Sequence, residues 1–341
     1  MKKMTPKERF HLAMKNKPVD RPPVCGMTTT ATTQLMDAVD AAWPEAHIDA
    51  TKMARLAIGA YDFFGLESMR VPYCLTYEAE ALGAEVNLGK KNSTPMVKGS
   101  PYRNNKDIPM ELPSEEELMS LARNSIVRDA SLKIVEESKK NNLPTVIGVT
   151  GPFTIAGHLV GTDDLLLALL LEPDYAKEVV GFTAGYMKMW LREVDTWGAD
   201  TIQMSEPTAS YDMLNQEMFR EFALPYLQDI YRVMDNTMKV LHICGNMLPM
   251  LDEMAATGAD GLSVEEKTDP YEAVKKVNKK AALIGNVGVV KPLLQGTPED
   301  VVIATKRSMD AGFNIISAAC GLSALIDREN LLAMTRTVKG E

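Results

Sequence analysis

The residues best suited to chemistry lie in Val240-Leu241-His242-Ile243-Cys244-Gly245-Asn246 of this 341-residue chain. The apolar run reads as a strand, and side chains two apart on a strand share a face. His242 and Cys244 therefore point one way and Ile243 the other. Gly245 and Asn246 end the pattern, which puts the pair at the strand's C-terminal end. An imidazole and a thiol converging there make a two-point chelate for a borderline-soft metal. Cys320, followed by Gly321 at the end of another apolar run, is the candidate third ligand. A His/Cys/Cys set around Zn2+ balances the metal's two positive charges with two thiolates and leaves one tetrahedral position open. Glu265, after Leu262-Ser263-Val264, is placed to fill that position and to yield it to an incoming ligand. Glu206 ends Ile202-Gln203-Met204-Ser205 and Asn286 ends Leu283-Ile284-Gly285, so both are expected to line the same pocket in catalytic roles.

Zinc stabilises a bound thiolate and lowers its pKa, so a thiol substrate ionises near neutral pH yet keeps a nucleophilic sulfur. Water activation for hydrolysis is the other chemistry such a site performs. Two thiolate ligands donate charge and weaken the Lewis acid, which favours attack by a thiol. A lone buried cysteine or histidine is more often packing than ligand, and Cys25 and His158 are read that way.

Positioning three ligands so far apart in sequence requires a fold that gathers strand ends. Eight candidate strands are legible: Pro23–Met27, Ser68–Pro72, Thr145–Thr150, Thr201–Glu206, Lys239–Cys244, Gly261–Glu265, Ala282–Val287 and Asn314–Ala319. Several are apolar on both faces, as strands covered by helices must be. Their alternation with helical stretches predicts an α/β protein with a parallel sheet. Eight strands favour a (β/α)8 barrel, whose C-terminal strand ends form the mouth. No Gly-rich phosphate loop follows the first strand, which disfavours a dinucleotide fold. An N-terminal helix is signalled by Thr5, Pro6 and Glu8 as a capping box; Thr297, Pro298 and Asp300 repeat it, and Asp327 is placed to cap the last helix. Residues 83–113 break the alternation. There, Glu85-Val86-Asn87 and Met96-Val97, joined by Gly89-Lys90-Lys91-Asn92, read as a hairpin inserted near the mouth.

Composition narrows the partners. Apolar residues make up 45% and charged residues 24% of the chain, an ordinary globular mix. A net charge of -9 repels phosphate backbones, so no nucleic-acid partner is expected. The longest apolar run, Leu165 to Leu171, reads as a buried helix face, far short of the ~20 residues that span a bilayer. With four cysteines and no signal-like stretch at Met1-Lys2-Lys3, a reducing cytoplasmic setting without membrane contact is expected.

Taken together, these segments resemble the methylcobalamin:coenzyme M methyltransferases of the uroporphyrinogen decarboxylase superfamily. The likeness rests on the His242-x-Cys244-Gly245-Asn246 stretch, Gly261 to Lys267, Ile284-Gly285-Asn286 and Cys320-Gly321. In the N-terminal half it rests on Pro18 to Pro23, Trp43 to His47, Val71-Pro72-Tyr73-Cys74 and Gly151-Pro152-Phe153. The resemblance implies one TIM-barrel domain over residues 1–341, with zinc on His242, Cys244 and Cys320 and a displaceable Glu265. It also implies a methylated corrinoid protein as partner, carrying the cobalamin, and a small thiol such as coenzyme M as acceptor. Two alternatives stand beside this reading: methylation of a corrinoid protein from a methylated small substrate, and decarboxylation. Decarboxylases of the superfamily carry an arginine-rich segment after the first strand, where this chain reads Cys25-Gly26-Met27-Thr28-Thr29-Thr30. The likeness departs after Gly321: the family's Pro-x-Thr-Pro is replaced by Leu322-Ser323-Ala324-Leu325.

Overall fold

The computed structural model describes residues 3–103, 106 and 110–341, so part of the expected 83–113 insertion lies outside the described residues. The strands are β1 (Met69–Val71), β2 (Glu85–Asn87), β3 (Met96–Gly99), β4 (Thr145–Thr150), β5 (Thr201–Ser205), β6 (Met238–Ile243), β7 (Gly261–Val264), β8 (Ala282–Val287) and β9 (Ile315–Ala318). Seven of them form a parallel sheet in the order β1-β4-β5-β6-β7-β8-β9. The segment expected as the first strand, Pro23–Met27, makes only an isolated parallel bridge, Val24 to Ile316. Pro22 and Pro23 have no N–H to donate, so the ladder cannot extend toward the N-terminus, and on the other side Gly26 N donates to Ser68 Oγ instead of a strand. The bridge still joins the two sheet edges. Cys25 N donates to Ile316 O (2.9 Å) and Glu67 N to Val24 O (2.7 Å), so the sheet closes into the expected barrel.

Several strands end one residue earlier than the sequence suggests, which leaves Glu206, Cys244 and Glu265 just past their strand ends, with Cys320 two residues past β9. Register then sets the interior. Arg70 pairs with Val146, and Val146 with Thr201. One layer higher Gly148, Gln203 and Val240 are neighbours, and above them Ser205, His242 and Ser263. Phe10 and Met14 of the N-terminal helix Pro6–Met14 plug the lower end, packed with Cys25, Val146, Val240 and Ile284. That helix has a one-way cap: Thr5 Oγ1 accepts from Glu8 N at 3.2 Å without the reciprocal bond of a full box. The box at Thr297 and Asp300 is complete, and Asp327 accepts from Glu329 N.

The antiparallel β2–β3 hairpin forms where the sequence signals it. Its Met96 and Val97 line the cavity at the mouth. The apolar run 165–171 corrects one expectation. In the helix Thr162–Leu171 only Leu165, Ala168 and Leu169 are buried, while Leu167, Leu170 and Leu171 are exposed. Seven consecutive apolar residues encircle a helix, and a single stripe can face the core. Among the described residues no single helix is long and apolar enough to cross a membrane; the bent pair Pro152–Val160 and Thr162–Leu171 passes that test together.

Candidate active site

The barrel gathers His242, Cys244 and Cys320 at its mouth. His242 is the next-to-last residue of β6, beside Ser205 on β5 and Ser263 on β7. Its Nδ1 lies 3.0 Å from Ser263 Oγ. The other ring nitrogen, Nε2, is 3.4 Å from Cys244 Sγ, and Cys244 Sγ is 3.4 Å from Cys320 Sγ. One donor atom from each of the three residues falls within 4.8 Å of the other two. Bonds of about 2.0–2.3 Å to a common centre fit that spacing. Ser263 also does what a supporting partner does: by engaging Nδ1 it fixes the ring and leaves Nε2 aimed at the sulfurs. The donor set therefore fits Zn2+.

The electrostatics agree with this fit. Hydrogen bonds from Cys244, from His242 and from the Gly321 N–H pull the Cys320 thiol down. Cys244 is pushed far up, first by Cys320 beside it and then by burial. Two sulfurs this close favour a cation between them, which would offset the charge of a second thiolate.

Gly245 turns the chain directly after Cys244 at a φ of +85°, where a side-chain Cβ would also lie 2.6 Å from Asp212 Oδ2. The turn aims Gly245 N at Glu265 Oε2, 2.8 Å away. Glu265 is thereby held beside Cys244 but is not one of the three converging groups.

None of Glu265, Glu206 and Asn286 lines the cavity that contains the cluster, and Glu206 and Asn286 differ further from expectation in being claimed by neighbouring backbone. Glu206 is fully buried and accepts from Phe153 N (3.0 Å) and Thr154 N (2.6 Å), so it caps the helix Pro152–Val160. Burial pushes its pKa up to about 7 against those donors. Asn286 Nδ2 donates to Glu265 O (3.2 Å) and Thr268 O (2.9 Å), and its Oδ1 accepts from Ser308. It pins the turn that carries Glu265. Strand-end position alone does not distinguish a side chain aimed into the mouth from one folded back to satisfy a loop.

The cavity has a volume of about 580 Å³. Besides the cluster, Arg70, Tyr73, Cys74 and His158 line it, and no reading of the sequence had assigned a site role to them. His158 lines the cavity with Nδ1 unpartnered, although burial pulls its pKa down to about 4. The overlooked signal at Arg70 is a charged residue in the middle of a short, otherwise apolar strand.

Comparison with known proteins accords with this geometry. The family model described as uroporphyrinogen decarboxylase (URO-D) matches residues 5–340. A methylcobamide:CoM methyltransferase, MtaA, of Methanosarcina barkeri is 36% identical over 340 residues, covering 98% of this chain and 97% of that protein. The chain belongs to this family. Methylcobamide:CoM methyltransferase MtbA of Methanosarcina acetivorans is 35% identical, with 99% of each chain covered. A solved structure titled methyltransferase from Methanosarcina mazei superposes with a TM-score of 0.94 at 34% identity, covering 99% of both chains. The family fold is thus retained over nearly the whole chain.

Proposed function

We propose that this chain transfers a methyl group from a methylated corrinoid protein to a small thiol, of which coenzyme M, named for its relatives, is the foremost candidate. The carrying observation is the convergence of His242, Cys244 and Cys320 at the barrel mouth. These residues would hold zinc, with Glu265 as the replaceable fourth ligand and Asn286 and Glu206 as positioning residues. Zinc, when bound, lowers the pKa of the acceptor thiol so that it enters as a thiolate. The chain's own groups do the rest. Ser263 orients the His242 ring through Nδ1. Gly245 N holds the Glu265 carboxylate beside Cys244 until a thiol displaces it. In the transfer, a sulfur lone pair forms the new S–C bond. The Co–C bond would break with its electron pair left on the cobalt, which would stay in the partner protein as Co(I). The cobalamin would belong to the partner protein.

The decarboxylase alternative needs several cations to hold a polycarboxylate, and Arg70 is the one lysine or arginine among the described residues lining the cavity. The test is to mix protein, methylcobalamin and coenzyme M and follow the methyl-Co(III) spectrum. Rapid disappearance that stops on zinc removal and returns on its restoration is expected. Cys320→Ala should lose bound zinc and transfer together, and full activity in that variant overturns the assignment.

A further inference from the structure

Arg70 sits inside the barrel with no carboxylate within ion-pair distance; the buried Glu78, which accepts from Thr150, acts on it only through its field. Three arginines are buried among the described residues: Arg9, Arg70 and Arg123. Arg9 is paired with Asp20 at 2.7 Å and Glu67 at 3.2 Å, and Arg123 with Glu80 at 2.6 Å. Arg70 donates only to neutral acceptors, Pro72 O and Gln203 Oε1, and its Nε has no partner. A buried charge without a counter-charge is expensive, and proteins rarely keep one idle. Burial pulls its pKa down to about 10, which still leaves a cation at neutral pH. The site is built for this side chain. It rises past Gly148, where any Cβ would collide with its Nη2. Beside it the Tyr73 hydroxyl is fully buried, unpartnered and part of the same cavity wall.

The sulfur end and this cationic end share one cavity of about 580 Å³. From Arg70 the path to the cluster runs along β5: Gln203 Nε2 donates to Ser205 Oγ at 2.8 Å, and Ser205 pairs with His242. We infer that Arg70, with the Tyr73 hydroxyl, is the binding site for an oxyanion at the far end of a short thiol acceptor, and so selects anionic thiols over neutral ones. The inference rests on the thiol-acceptor reading above but concerns the opposite end of the molecule. A planar guanidinium with free N–H donors suits a sulfonate or carboxylate.

The experiment uses the zinc-loaded enzyme with methylcobalamin and three thiols of similar length: 2-mercaptoethanesulfonate, 3-mercaptopropionate and neutral 2-mercaptoethanol. Wild type should favour one or both anionic thiols in kcat/KM, and the preferred one names the oxyanion. Arg70→Met should lower kcat/KM for that thiol by roughly ten- to hundredfold, mostly through KM, as expected for a lost hydrogen bond to a charged group. The ratio to mercaptoethanol should collapse. Arg70→Lys should recover part of the preference, and Tyr73→Phe should lower it by roughly three- to tenfold. A second readout needs neither zinc nor turnover: ethanesulfonate, which lacks the thiol, should bind metal-stripped wild type by calorimetry and bind Arg70→Met much more weakly. Equal treatment of all thiols by wild type overturns the anion site, as does an equal loss on all thiols in Arg70→Met. If no thiol demethylates methylcobalamin, the function reading fails, and ethanesulfonate binding still decides the role of Arg70.

Discussion

Glu67, two residues before β1, and Arg70, in the middle of it, are buried charges three residues apart, and they are treated oppositely. At the lower end Glu67 accepts from Arg21 at 2.6 Å, Arg9 at 3.2 Å and Val24 N at 3.2 Å, while Asp20 clamps the other side of Arg9. Each charge there has its opposite, and the network ties the N-terminal segment to the strand that it helps to close. Toward the mouth the Arg70 side chain has amide and carbonyl partners only, and the two cysteine sulfurs lie 3.4 Å apart. Compensated charge holds the closed lower end together. Uncompensated charge at the mouth stores binding capacity for ligands that bring the missing opposite charge. Cation and anion sites of opposite sign then face one cavity, suited to a substrate with a sulfur at one end and an oxyanion at the other.

The contrast can be broken most severely at the mouth. His242→Ala should take bound zinc from one per chain to near zero and methyl transfer to background, measured by metal analysis and the cobalamin spectrum, with melting temperature changed little. The next effect belongs to the lower end. Glu67→Gln leaves two arginines short of a counter-charge and should cost about 3–5 kcal/mol in urea unfolding, while the surviving folded fraction still binds zinc. If Glu67→Gln instead spares stability and removes zinc, the division between the two ends is wrong. Glu206→Gln keeps one acceptor of two at the N-terminus of Pro152–Val160 and should cost about 1–3 kcal/mol with zinc stoichiometry intact. The smallest effect is a pH dependence. The hydrogen bond from Arg9 holds Asp20 well below the usual carboxylate range. A carboxylate depressed in the folded state adds stability above its unfolded value near 3.8 and loses it as the pH falls toward the folded value. Asp20→Asn should therefore lower the melting temperature at pH 6 and flatten its fall below pH 4. An unchanged acid limb would sever Asp20 from the network.

Much of the mouth was legible because strand ends announce themselves. His242 and Cys244 share a face by the period of two, and Gly245 and Gly321 mark where the chain turns. The inserted hairpin and the caps at Thr297 and Asp327 were equally local signals. The first strand was overread, because alternation of residue types does not register that two prolines remove ladder donors. The run 165–171 was overread for the opposite reason: composition shows that residues are apolar, not which of them has a neighbour to pack against. Glu206 and Asn286 share the strand-end signal of Glu265, yet one was claimed by a helix N-terminus and the other by a turn.

The order of residue types along the chain thus determined a parallel α/β barrel and a set of soft donors at its mouth, since both follow from periods and breaks within a few residues. Tertiary structure alone decided which buried polar groups are satisfied. Satisfaction is a property of pairs brought together across the sheet: Glu67 met two guanidinium groups, Arg70 met no carboxylate within ion-pair distance, and Cys320 met Cys244 from 76 residues away.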